Sequence, residues 1–235
     1  MVGPERKHLS ADALFSMVHT SFAKIPDHRV GHPAISLADA LMSAFAMFSL
    51  KCPSLLQFDE QQRADENIRS ISRIGRVPCD TQMRTIIDPL GPETSRPIFR
   101  DVFRQVQRGK VLEQFVCLEG CYLLSLDGTG YFSSNKVHCP SCLRRVSGSG
   151  EVTWHHQMLG AALVHPDLKE VIPLCPEPII QQDGHTKNDC ERNAARRFLA
   201  AFRRDHPHLP VIVVEDGLSS NGPHIRDLVD HRMHF

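Results

Sequence analysis

The stretch Tyr122–Tyr131, YLLSLDGTGY, decides the fold of this chain when it is read together with Val211–Asp216, VIVVED. Each is an unbroken apolar, β-prone run that meets a carboxylate beside a glycine. That is how a buried strand delivers an acid to the lip of an open α/β sheet. Asp127 and Asp216 are far apart in sequence, but neighbouring strands would bring them together. Two carboxylates at such a lip suit Mg²⁺, a hard cation that prefers oxygen ligands.

Around these two runs the period of the hydrophobic pattern changes near Cys117. Downstream, Tyr122–Leu126, Met158–Val164, Glu170–Leu174 and Val211–Glu215 read as strands. His165–Lys169 is a turn that makes the second and third of them a hairpin. A helix from about Lys187 to Arg204 presents Ala194, Ala195, Phe198, Leu199 and Phe202 on one side, and Pro223–Asp230 is a short helix. Upstream the pattern is helical: Leu9–Ala23, then Ser36 to Leu50 opened by a capping-box arrangement of Ser36 and Asp39, then a polar helix over Ser54–Arg69. A short helix from Asp80 or Thr81 to about Leu90 precedes a last one that starts at Thr94 or Ser95. The expectation is an α+β chain, with a helical domain over residues 1–116 and a mixed-sheet α/β domain over 117–235.

Bulk properties narrow the classes. The chain has 235 residues, 41% hydrophobic and 23% charged, enough for a sizeable core and ordinary for a globular protein. Its formal net charge is zero, so nucleic-acid binding must be argued from local patches. Met1–Ser10 is polar and charged, unlike a signal peptide, and the longest apolar stretch, Leu37–Leu50, is interrupted by Asp39 and falls short of the ~17–25 residues of a membrane span. A soluble intracellular chain is expected, in which the eight cysteines are reduced thiols or metal ligands.

The order strand, strand, strand, helix, strand, helix, with Asp127 on the first strand and Asp216 after the fourth, resembles the ribonuclease H-like fold. More narrowly, LSLDGTGYFSS, HQMLGAALVHPDLKEVIPL, DCERNAARRFL and VVEDGLSSN are similar to stretches of the DDE transposases of bacterial insertion sequences, in the same order. The resemblance runs from about His28 to the C-terminus. It implies DNA cleavage and strand transfer by two-metal phosphoryl transfer, with two Mg²⁺ or Mn²⁺ ions held by Asp127, Asp216 and a glutamate, acting on transposon ends in the bacterial cytoplasm, nucleoid-associated when on DNA. It also implies a homo-oligomer, or assembly with a full-length transposase. The family's third carboxylate is a Glu on a helix after a fifth strand; this sequence has no glutamate after Glu215 and ends about where such a strand, Arg232–Phe235, would begin. Asp227 and Asp230 lie on the preceding helix. The expectation is therefore an incomplete ribonuclease H-like domain and a truncated, inactive copy, with a non-catalytic DNA-binding remnant as the alternative. A phosphatase of the haloacid dehalogenase type, whose strand ends D-x-D-G-T, is disfavoured because Ser125 stands where the nucleophilic Asp is required.

Two further groups stand out. Cys139-x-x-Cys142 followed by His155 has most of a zinc-finger spacing, with His138, His156 or His165 left to complete it; the expected set is Cys139, Cys142, His155 and His138, against a bland reading as surface thiols. Arg96, Arg100, Arg104 and Arg108 recur every fourth residue along one helix side, and Lys136, Arg144 and Arg145 follow the first strand. Both groups could track DNA phosphates, although a charged stripe is commonly just a solvated face.

Overall fold

The computed structural model describes residues 9–62, 65–180 and 190–235. The chain divides between Val111 and Leu112 into two compact units.

The first unit is helical: α1 (Ala11–Phe22), α2 (Leu37–Ser49), α3 (Leu55–Gln62), α4 (Glu66–Ile71), α5 (Asp80–Ile87) and α6 (Arg96–Arg108). Ser36 caps α2 by accepting the Asp39 N–H at 2.9 Å. The Asp39 carboxylate does not reach back to complete a box; it accepts the Gly75 N–H at 2.7 Å and ties α2 to the chain beyond α4. The single polar helix expected over Ser54–Arg69 is instead two, because Asp65 accepts from the N–H groups of Asn67 and Ile68 and so starts a new helix. Met42, Ala46, Phe58, Ile74, Val77, Met83 and Ile98 form the buried centre of this unit.

The second unit is built on a mixed sheet: β1 (Tyr122–Ser134), β2 (Leu143–Val146), β3 (Val152–Val164), β4 (Ile172–Pro173), β5 (Glu177–Ile179) and β6 (Val211–Val214), with α7 (Glu191–Asp205) and α8 (Gly222–Asp230). β1 is central: β3 pairs with it antiparallel and β6 parallel. The far edge of β3 carries β2, β5 and β4 in succession. On the other side Ile212 makes an isolated parallel bridge to His234, with Val213 N–H donating to the His234 carbonyl at 2.7 Å. The strand expected over Glu170–Leu174 is only the short β4, and β5, which the sequence pattern did not indicate, follows it after Leu174–Pro176.

β1 and β3 are each much longer than expected. The strand expected over Tyr122–Leu126 runs on, since Gly128-Thr129-Gly130 continues β1 and pairs with Gln157–Leu159, and the register slips at Tyr131 before resuming at Phe132↔His156. All five residues expected on the core side of α7 are buried, and Ala201 joins them. The part of that helix expected before residue 190 lies outside the described residues. Two of its arginines are fastened to the fold: Arg197 bonds to Glu177 at 2.7 Å, and Arg203 donates to the carbonyls of His231, Leu209, His206 and Arg232. Among the described residues no helix is long and apolar enough to cross a membrane.

Candidate functional site

The ladder between β1 and β6 runs from Tyr122↔Val211 to Ser125↔Val214. Asp127 and Asp216 each stand two residues past that last pair, Asp127 still on β1 and Asp216 beyond the end of β6, and both border the same cleft. The lip is made differently from the sequence-based expectation. β1 does not end at Asp127; it runs on because β3 still pairs with its other edge, Asp127 lying opposite Gly160. It is β6 that stops at Val214, which opens the edge of β1 from Leu126 onward.

A cleft of about 390 Å³ lies at this opening, bordered by Asp127, Asp216, Glu191, Glu215, Arg192 and His224. Asp127 and Asp216 are exposed. Glu191, not singled out in the sequence, sits in the first turn of α7, where a negative charge also suits the helix dipole. Its carboxylate fills the space that a Cβ on Gly128 would need, which accounts for a glycine in mid-strand. Glu215 is turned inward, and its carboxylate meets His224 Nε2 at 2.5 Å with both side chains nearly buried. Burial pushes the Glu215 carboxyl above its ordinary range; His224 beside it pulls the other way, and the adjacent Asp216 adds to the rise. The signal for Glu191 was available in the acidic start of a helix that packs on the sheet, but the close approach to Gly128 is a tertiary fact.

The only set of three metal-ligand side chains with donor atoms within 4.8 Å of one another, among the described residues, is Cys139, Cys142 and His156. The carboxylates of the cleft do not converge to that degree as a set of three. The thiol–imidazole cluster can hold a metal such as zinc, but its histidine differs from the expectation. His155 and His156 are successive residues of β3 and point to opposite faces. The pairing of β2 with β3 sets Leu143 opposite His155 and so brings Cys142 beside His156, which is the histidine that meets the two cysteines. His138 is outside the cluster as well; its ring stacks on Trp154 at 4.5 Å. Burial lowers the His156 pKa, with His155 adding to the effect, which favours the neutral imidazole; burial raises that of the Cys142 thiol.

The basic groups divide. On α6, Arg96 and Arg100 are half-buried, Arg104 pairs with Asp101 at 3.4 Å, and Arg104 and Arg108 are exposed. Lys136, Arg144 and Arg145 are exposed, the latter two on β2, with the Arg144 guanidinium over the Trp154 ring at 5.9 Å.

Comparison of the chain with protein-family models, with curated proteins and with solved structures finds no match in any of the three.

Proposed function

We propose that the second unit is a phosphoryl-transfer domain of the DDE transposase type, with a ribonuclease H-like sheet and DNA as substrate. The observation that carries this reading is that Asp127 and Asp216, each two residues past the last β1–β6 pair, border one acidic cleft. The sheet order, with β4 and β5 on β3, β3 on β1 and β6 parallel on the other side, supports the same reading.

The donor set suits the cation. Exposed carboxylates are hard oxygen ligands of the kind Mg²⁺ and Mn²⁺ take. Asp127 and Asp216 would hold the ion, and Glu191 is the carboxylate of the same cleft placed to contribute a third ligand. Such an ion, when bound, activates an attacking oxygen and stabilises the leaving one. The chain's own part is to fix the two aspartates just past the last β1–β6 pair and to bury the Glu215–His224 pair behind Asp216, which anchors the start of α8. Lys136, Arg144 and Arg145, and separately the exposed members of the α6 stripe, would contact phosphates, each contact steepening the salt dependence of binding.

The spread of the cleft carboxylates favours a second reading, a non-catalytic DNA-binding protein or a partner of a full-length transposase. Nicking of supercoiled plasmid DNA with Mg²⁺ or Mn²⁺ separates the two. The first reading expects cation-dependent nicking that Asp127→Ala and Asp216→Ala abolish and Glu191→Gln diminishes, with circular dichroism unchanged. Salt-sensitive DNA binding without nicking in any variant supports the second. Nicking that survives both aspartate substitutions contradicts the first.

A further inference from the structure

We propose that Cys139, Cys142 and His156 bind one Zn²⁺ ion that staples the ribbon formed by residues 135–146 onto β3, with solvent in the fourth coordination position. This is independent of the carboxylate cleft and of the reading given to it.

The distances carry the proposal. A tetrahedral zinc with ordinary Zn–S and Zn–N bonds sets its sulfurs about 3.8 Å apart and each sulfur about 3.6 Å from the imidazole nitrogen. Here the two sulfurs are 3.7 Å apart, and His156 Nε2 lies 3.3 Å from Cys139 Sγ and 3.2 Å from Cys142 Sγ. Three donors thus already occupy three corners of the polyhedron, each slightly inside its expected edge.

The backbone is arranged for the same purpose. Pro140 and Ser141 form a turn closed by Cys142 N–H donating to the Cys139 carbonyl at 3.1 Å, which brings both thiols to one side. The Cys139 N–H donates to Cys142 Sγ at 3.3 Å, which fixes the two sulfurs on the same side of the turn. The imidazole is held by stacking on Tyr131, with ring centroids 5.8 Å apart and planes within 12°, and by a tilted contact with Phe132. Among the described residues its Nδ1 has no hydrogen-bond partner, and its polar contacts are made by Nε2 with the two sulfurs.

The ribbon gives a reason for the ion. Residues 135–141 are exposed throughout, and in β2 only Leu143 is buried, so there is little apolar surface to fix it. A structural metal supplies what so small a core cannot. Two thiolates and an imidazole also select zinc over magnesium, so the two metal sites of this unit would not compete for one ion. Among the described residues no fourth donor joins the cluster, and Cys139 is its exposed member, which places solvent on that side.

Co²⁺ substitution tests the proposal on the full chain. The expected result is one equivalent of Co²⁺ with thiolate charge-transfer absorption and strong tetrahedral visible bands, displaced by Zn²⁺. Cys139→Ala, at an exposed position, and His156→Ala should weaken binding by more than the roughly 10–100-fold that outer-shell changes cost. His155→Ala and His138→Ala should leave it unchanged. Hydrogen exchange at the amides of Arg144–Val146 should accelerate when a chelator removes the ion, while the amides of β6 do not change. Weak octahedral Co²⁺ bands, loss of binding in His155→Ala or His138→Ala in place of His156→Ala, or a Cys139–Cys142 disulfide in protein kept under reductant would overturn it.

Discussion

The effect of substituting alanine for Gly128 should depend on whether Glu191 is there. A Cβ on Gly128 would overlap the Glu191 carboxylate and touch its Cγ. The side chain must therefore leave its position, at a cost of about 0.5–1.5 kcal/mol for an off-rotamer or displaced arrangement. Against this, alanine in a strand interior gains about 0.5–1 kcal/mol over glycine from the smaller entropy lost on folding. The two nearly cancel in the native background, so Gly128→Ala alone should change stability little. In a Glu191→Ala background only the gain remains, and the same substitution should stabilise by about 0.5–1 kcal/mol. The coupling energy of the cycle is then about 0.5–1.5 kcal/mol, above the scatter of independent sites. Urea unfolding of the four proteins measures it, followed by the fluorescence of Trp154, the single tryptophan, which lies in the second unit. Effects that add to within about 0.3 kcal/mol would refute the account of Gly128 and, with it, the placement of the Glu191 carboxylate beside Asp127.

Other consequences concern the pairs that hold each unit. Because Glu215 binds its proton more tightly folded than unfolded, stability should fall as pH rises from the unfolded value of about 4.3 through the raised folded value, then level off; Glu215→Gln should remove that slope. His224→Ala, which leaves the Glu215 carboxylate buried without its partner, should destabilise by about 1–3 kcal/mol in the same urea assay. In the first unit, the side-chain hydrogen bonds from Arg29 hold the Asp27 carboxyl down to about 2, so its NMR titration should sit there and return to the ordinary range in Arg29→Ala. The stability it lends is present above the unfolded pKa and disappears as pH falls through the folded one. Arg203→Lys should not rescue Arg203→Ala, since one ammonium cannot serve carbonyls spread over His206, Leu209, His231 and Arg232; a loss of about 1–3 kcal/mol in both is expected by thermal unfolding.

Helices and buried strands were legible where local pattern and tertiary role agree. The Ser36 cap, the core side of α7 and the pairing of Val211–Val214 beside Tyr122–Ser125 all follow from periodicity and apolar runs. The failures share a cause. Gly128-Thr129-Gly130 lies past the strand expected over Tyr122–Leu126, yet it is strand, because one glycine makes room for Glu191 and the other precedes the slip at Tyr131. The register of β2 on β3 decides which of two adjacent histidines meets Cys139 and Cys142, and a one-residue change in register is invisible to sequence spacing. Asp65 shows the local version: a residue that reads as part of a polar helix accepts two backbone N–H groups and restarts it. For the candidate site, Asp127 and Asp216 were found from their strands, whereas Glu191 enters only through the packing of α7 on the sheet.

The most direct test of the central claim is Mn²⁺ binding followed by electron paramagnetic resonance on the full chain. The account predicts one bound ion that is lost in both Asp127→Ala and Asp216→Ala, weakened in Glu191→Gln and retained in Cys139→Ala. Binding that is unchanged in the two aspartate variants, or lost with Cys139, would contradict it.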